Sequence, residues 1–218
     1  MNFVKSPEMR KKAISIHQLF STDIQSLEFT GSWLESIGRP ELTGTWLVWG
    51  GSGNGKTRFA LQLAKYLTTF GKKVAYDSLE EGVSLSMRNA IADCNMQEVA
   101  RRFMLLDKEP INELIARLES PRSPQVIIID SIQYTGLNYA DYKKLRDKFR
   151  SKLFILISHA EGSQPAGRVA KSIRFDAFVK IWIEGYKAFP MSRYGGGEPY
   201  TIWEEGALSY TQPKSKKQ

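Results

Sequence analysis

Cysteine is nearly absent from this chain: its 218 residues hold one, Cys94. A lone thiol closes no internal disulfide, and no Cys/His cluster has the spacing of a zinc site. Long apolar runs are missing too. None approaches the roughly 20 residues of a membrane span, and the opening MNFVKSPEMRKK lacks the apolar centre of a signal peptide. There is no internal repeat, no low-complexity stretch beyond a short basic tail, and no clear linker that would divide the chain in two. These absences exclude a disulfide-stapled scaffold, a zinc module and a membrane span. They lead to the expectation of one well-buried domain in the cytoplasm, with no membrane partner.

Acidic residues are outnumbered, with 31 Lys and Arg against 23 Asp and Glu for a net charge of +8. Position says more than the sum. Residues 1–12 carry Lys5, Arg10, Lys11 and Lys12 against Glu8, a net +3, and the tail PKSKKQ adds Lys214, Lys216 and Lys217 for another +3, leaving +2 between them. Basic ends are often only solvated, so a nucleic-acid reading must rest on local clusters.

What the chain does have is WGGSGNGKT, Trp49 to Thr57. It fits G-x-x-x-x-G-K-[ST], with Gly50, Gly55, Lys56 and Thr57 in the fixed places. Glycines let successive backbone N–H groups turn inward around phosphate oxygens, and a following helix adds its positive end. The flanks agree: TWLVWG reads as a buried strand, and TRFALQLAKYLTTFG as an amphipathic helix with Phe59, Leu63, Leu67 and Phe70 on one stripe. The expected cradle is Gly50, Gly51, Ser52, Gly53, Asn54, Gly55, Lys56, Thr57 and Arg58. Lys56 reaches the β- and γ-phosphates of ATP, and the Thr57 hydroxyl ligates Mg²⁺.

Strand and helix then alternate. KKVAYDSLE, RFMLLD, PQVIIID and KLFILIS read as strands, and GVSLSMRNAIADC, INELIARLES and YADYKKLRDKFR as helices. PQVIIID is apolar without interruption, as in a parallel sheet covered on both faces. The expected fold is α/β, mainly parallel, with helices on its faces. From about Phe175 the aromatic and β-branched segments FDAFVKIWIEG, KAFPMS and PYTIWEEGALSY read as an antiparallel extension of the sheet. The division expected is 1–43 as a segment flanking the core, 44–210 as the core, and 211–218 as a basic disordered tail.

An acid at the end of a buried strand, Asp130 in VIIIDS, suits Mg²⁺ held opposite Thr57. The next position, a catalytic glutamate in many AAA+ ATPases, is Ser131. A water-activating base must therefore come from elsewhere. Glu80 and Glu81 stand at the end of the strand in VAYDSLEEG, where carboxylates of a parallel sheet face the γ-phosphate. The other reading of this pair is two solvated acids at a helix N-terminus.

Several segments together resemble the RecA/RadA core: YDSLEEGVSLSMRNAI, IIIDSIQ, ISHAEGSQPAGRVAKSIRFDAFVKIWIEG and MSRYGG, in that order from about Gly44 to Tyr210. The resemblance implies a RecA-like ATPase and favours Glu80 as the base. It implies that His159 is a γ-phosphate sensor relaying to a DNA-binding loop, and that Arg193 reaches across a subunit interface to a neighbour's nucleotide. Met191 and Ser192 stand where the family has Lys and Asn. The family's zinc module and protease-like domain are missing, so what remains resembles the small single-strand annealing ATPases and recombinases of bacteriophages.

Two segments would face DNA in this family. Residues 139–152 hold six basic residues, including Lys143 and Lys144, against Asp141 and Asp147, with tyrosines suited to stacking on single-stranded bases. EGSQPAGRVAKSIR carries Arg168, Lys171 and Arg174 after glycines that permit disorder. The expected partners are single-stranded DNA, further copies of the chain in a ring or filament, and a replication or recombination protein. Two rivals are a P-loop kinase acting on a small molecule and a nucleotide switch that loads a helicase.

Overall fold

The computed structural model describes residues 13–210; the basic N-terminal dozen and the tail 211–218 lie outside them. The order of elements is α1 (Ile16–Phe20), α2 (Gly31–Ile37), β1 (Gly44–Gly50), α3 (Lys56–Thr69), β2 (Val74–Ser78), α4 (Leu85–Asp93), β3 (Phe103–Asp107), α5 (Ile111–Glu119), β4 (Val126–Asp130), α6 (Tyr139–Lys148), β5 (Leu153–Glu161), β6 (Gln164–Pro165), α7 (Gly167–Asp176), β7 (Val179–Glu184), β8 (Lys187–Ser192), β9 (Tyr200–Thr201) and α8 (Glu204–Ser209). The strands form one sheet in the order β3-β2-β4-β5-β1-β7-β8-β9, with the short β6 paired to β5.

Alternation along each strand divides the core between two faces. Trp46 and Val48 of β1 join Val74, Tyr76, Val126, Ile128, Ile155 and the α3 stripe Phe59, Leu63 and Leu67. Leu47 and Trp49 point the other way, with Ile127, Ile129 and Leu156, onto Leu114 of α5, Leu145 of α6 and Ile173 of α7. Every residue of β4 is buried, which is why its sequence shows no polar alternation. Each such fully buried aliphatic side chain contributes about 1.5–3 kcal/mol. Leu27, Phe29, Trp33 and Ile37 belong to the α3 face, and Trp33 stacks on Tyr66 and Tyr200 at 5.3 and 4.3 Å. The core therefore takes in residues ahead of β1.

Three local expectations need correction. β7 is not part of an antiparallel extension: it pairs parallel with β1, Trp46 opposite Val179, and at this edge of the sheet the antiparallel strands are β8 and β9. WEEGALSY is not a strand, because Glu204 and Glu205 open the helix α8. The glycine segment after His159 is an ordered hairpin and helix, in which Gln164–Pro165 pair with β5 and Gly167 begins α7, whose Ala170 and Ile173 bury one stripe.

Candidate nucleotide site

The turn from β1 into α3 is built on glycine for measurable reasons. A side chain at Gly50 would place its Cβ 2.3 Å from the Ile183 carbonyl oxygen of the adjacent strand. Gly55 adopts φ +99°, the left-handed region, and hands the chain to the first residue of α3, Lys56. Above Gly53 a Cβ would meet nothing within 4 Å, so the bend opens into free space. Asn54 fixes the loop from both sides: its amide donates to the Ser52 carbonyl at 3.1 Å and its oxygen accepts from Gly185 N–H at 2.8 Å. Lys56 Nζ donates to the Gly51 carbonyl at 2.9 Å, lying across the loop mouth. Burial pushes the Lys56 ammonium below its usual pKa, while Asp130 and Glu80 pull it back up.

The carboxylates arrive through strand register. Ser78 pairs with Asp130 across β2 and β4, and Gly50 pairs with His159 across β1 and β5. Asp130, only 8% exposed, accepts from the buried Tyr76 hydroxyl at 2.5 Å, and the Thr57 side chain lies in the same neighbourhood. Burial raises the Asp130 carboxyl to about 6, against the lowering effect of the Tyr76 hydrogen bond. Tyr76 thus holds the expected Mg²⁺-binding carboxylate. Tyr76 carries no signal of that role in the sequence beyond its place in VAYDS.

Glu80 and Glu81 differ. Glu80 Oε2 lies 2.8 Å from His159 Nε2, joining residues 79 apart in the chain, and Glu80 N–H bonds the Asp130 carbonyl at 3.1 Å. Glu81 Oε2 instead accepts from Ser86 Oγ at 2.7 Å, beside Ser84, the N-cap of α4. Glu81 is thus held by serine hydroxyls at the start of α4, whose N-cap is Ser84, and not by His159. Both acids line one cleft of about 480 Å³ with Ser52, Lys56, Thr57 and Asp130. Its other end is formed by Arg58, Tyr186 and Trp203. The two rings meet edge to face at 5.0 Å, and the Arg58 guanidinium lies 5.3 Å over the Trp203 ring. Sequence reasoning passed over both aromatics, because they reach the cleft from β7–β8 and α8, distant in the chain.

Gln133, the last residue of IIIDSIQ, joins three segments around the site. Its side chain donates to Ser158 Oγ at 2.7 Å and to the Ala166 carbonyl at 3.0 Å, and accepts from His159 N–H at 3.4 Å. The segment after β4, the end of β5 and the start of α7 are thereby tied to the Glu80–His159 pair.

Arg193 does not approach its own chain's cleft. Ser192 pairs with Val179 at the beginning of β7, whereas the P-loop lies beyond the end of β7, roughly 17–20 Å away along the strand. Its guanidinium is 4.8 Å over the Phe178 ring. The expected DNA-facing set is likewise spread out. Lys143 lies 4.9 Å over the Tyr139 ring and Lys144 pairs with Asp141 at 3.0 Å, both on the outer surface of α6. On α7, Arg168 is exposed, Lys171 pairs with Glu161 at 2.7 Å, and Arg174 bonds Gln164 and lies 5.2 Å over Trp49.

No protein-family model and no curated protein matches the chain. Among solved structures, a KaiC-like protein from the hyperthermophilic archaeon Pyrococcus horikoshii superposes with TM-score 0.60 at 19% identity, over 82% of this chain and 94% of that one. The flagellar accessory protein FlaH from Methanocaldococcus jannaschii gives TM-score 0.59 at 15% identity over the same shares, 82% and 94%. At such identities the likeness speaks for the fold. The chain has the RecA-like P-loop architecture, a mainly parallel sheet flanked by helices with antiparallel strands at its C-terminal edge.

Proposed function

We propose that the protein is a Mg²⁺-dependent ATPase that couples nucleotide turnover to the handling of single-stranded DNA in recombination, repair or replication. The observation that carries the reading is the convergence of Lys56, Thr57, Asp130 and Glu80 on one cleft at the end of β1, with His159 bonded to Glu80. The residues suit their groups. The loop bends into open space, as phosphates require, and Asp130 is a buried carboxylate whose charge a divalent cation would satisfy. Thr57 and Asp130 would hold Mg²⁺, which would supply charge neutralisation at the phosphates. Lys56 leaves the Gly51 carbonyl for the phosphate oxygens. Glu80 orients a water and accepts its proton, and His159 holds the Glu80 carboxylate toward the cleft.

DNA enters the reading through the exposed Tyr134, the cations of α6 and α7, and the Gln133 bonds that join their segments to the site. The core motifs and the basic segments fit the resemblance to the phage annealing ATPases. Arg193 suits a homo-oligomer, ring or filament, in which it completes a neighbour's site. ATP turnover measured with and without single-stranded DNA tests the reading. Stimulation supports it, DNA-independent phosphate transfer to a small acceptor would favour a kinase, and nucleotide binding without turnover would favour a switch that loads a partner.

A further inference from the structure

The sheet has a second charged edge, opposite the nucleotide. In a parallel sheet the N-terminal ends of the strands line up, and here each of four adjacent strands is entered through basic residues. Arg101 and Arg102 precede β3, Lys72 and Lys73 precede β2, Arg122 precedes β4, and Arg150 and Lys152 precede β5. These strands are neighbours in the order β3-β2-β4-β5. The register is tight: Val74 pairs with Phe103 and with Val126, Val74 N–H bonds the Arg102 carbonyl at 2.8 Å, and Val126 N–H bonds the Lys73 carbonyl at 3.2 Å. The two dibasic pairs are therefore side by side, and Lys73, Arg101 and Arg102 line one cleft of about 660 Å³.

Lys152 has a structural task, donating to Ser123 Oγ and the Pro124 carbonyl, both at 2.8 Å. The other six form no ion pair among the described residues. Of the acids around them, Glu119 pairs with Lys148, Asp147 with Arg146, and Glu98, which lines the cleft of Lys73, Arg101 and Arg102, with Lys65. Glu109 and Glu113 line a cleft with Arg122, Glu109 being paired with Arg117. The C-termini of α3, α5 and α6 point to this edge, but three helix dipoles supply about −1.5 charges in all. With Glu113 beside Arg122 counted as well, a surplus of cations remains along the row, centred on the two dibasic pairs, and an anionic partner relieves their repulsion.

We infer that this edge is a binding track for the phosphate backbone of duplex nucleic acid, separate from the loops that face the nucleotide end. The row spans roughly 14 Å at about 4.8 Å per strand, the length of about four phosphates of one duplex strand. None of the large hydrophobic residues exposed in the described chain lies on these strand entries. A protein interface needs an apolar centre and a single-strand site needs aromatic platforms, whereas a duplex backbone needs only cations. The track is independent of the ATPase reading, because it uses no residue of the nucleotide cleft.

The test is fluorescence anisotropy of the full chain on a labelled duplex of about 30 base pairs, across about 50–300 mM salt. The variant Lys72→Gln/Lys73→Gln/Arg101→Gln/Arg102→Gln keeps the backbone bonds of the strand entries. It is checked for thermal unfolding and for ATP turnover without DNA. Arg122→Gln/Arg150→Gln, at the other end of the row, is a second and milder variant should the first fail to fold. Duplex affinity should fall by about tenfold or more in the fourfold variant, with the log–log salt slope reduced by about 3–4, and by about 2 in the double variant. Arg168→Gln/Arg174→Gln on α7 should keep duplex binding. The inference is overturned if the wild-type chain does not bind duplex, if folded row variants keep its affinity and slope, if the α7 variant loses duplex binding as fully, or if polyglutamate of equal charge competes as well as duplex.

Discussion

Tyr76→Phe isolates the hydroxyl that holds the metal-side carboxylate. The ring is fully buried and remains in place, so the core keeps its volume. What goes is the 2.5 Å hydrogen bond to Asp130 Oδ2. A hydrogen bond to a charged group contributes about 1.5–3 kcal/mol, and removing the donor leaves a buried carboxylate short of a partner. At 1.36 kcal/mol per pKa unit, the greater protonation of Asp130 should weaken Mg²⁺-dependent nucleotide binding by roughly 2- to 15-fold at neutral pH. The sign with pH follows from the carboxyl. Asp130 titrates near 6 because burial raises it, and Tyr76 opposes that rise. In the wild type, Mg²⁺-dependent binding should fall as pH drops through about 6. Without the hydroxyl the pKa climbs further, so the fall should begin at higher pH, and affinity should recover in mild alkali. The assay is Mg²⁺ titration of a fluorescent ATP analogue between about pH 5.5 and 8.5, with thermal unfolding as the control for fold. An unchanged Mg²⁺ requirement across that range would refute the role given to Tyr76.

Other perturbations separate the remaining roles. Lys56→Ala should abolish turnover and sharply weaken ATP binding; undiminished ATPase activity would end the P-loop reading. Glu80→Gln should slow hydrolysis by about 100-fold while ATP stays bound, and Glu81→Gln should do less, because Glu81 is engaged by the Ser84 and Ser86 hydroxyls; the reverse order in single-turnover assays would exchange the two assignments. Asp77 is fully buried on β2, one oxygen accepting Glu109 N–H at 3.0 Å and the other unpartnered, and burial raises its carboxyl to about 7. The folded state then binds the proton more tightly than the unfolded chain, so this site costs stability increasingly as pH rises from about 4 to 7; Asp77→Asn should flatten that loss by about 1–4 kcal/mol, and a melting profile parallel to wild type would refute it. Arg193→Ala should bind ATP yet hydrolyse it poorly, and mixing with Glu80→Gln chains should restore part of the turnover; mixtures that never recover would refute a site shared between chains.

The alternation of β-branched strands with amphipathic helices was legible because each element advertises its own burial. VIIID carries no polar residue before its final acid and lies buried on both faces, and the helix after the P-loop repeats its apolar stripe through Leu67. The errors came where packing outweighs local character. In WEEGALSY the aromatic and its neighbours suggested a strand, yet two acids open a helix there. In the glycine segment the i, i+3 spacing of Ala170 and Ile173 was present, but the glycines drew the reading toward a loop. Tyr76 and Gln133 escaped for another reason. Their roles exist only because β2 pairs with β4 in one register, Ser78 opposite Asp130, and because β5 lies between β4 and β1. Strand order is a long-range property, and no window of sequence contains it.

The same directionality accounts for the polarity of the molecule. Strands of a parallel sheet all end at one edge, and the helices that follow begin there, presenting N–H groups and positive dipole ends. That edge can hold a crowd of carboxylates: Glu80, Glu81, Asp107, Asp130 and Glu161 all lie at or just beyond strand ends. Each helix then returns the chain to the opposite edge with its carbonyl end leading, where cations are favoured by the dipole and acids are not. The Lys72–Lys73 and Arg101–Arg102 pairs stand where this rule permits charge, but in a number that the helix ends cannot balance. An excess of that kind is not needed for folding, because the sheet bonds at these positions come from backbone atoms. Neutralising the row should therefore leave the fold intact and change what the edge attracts.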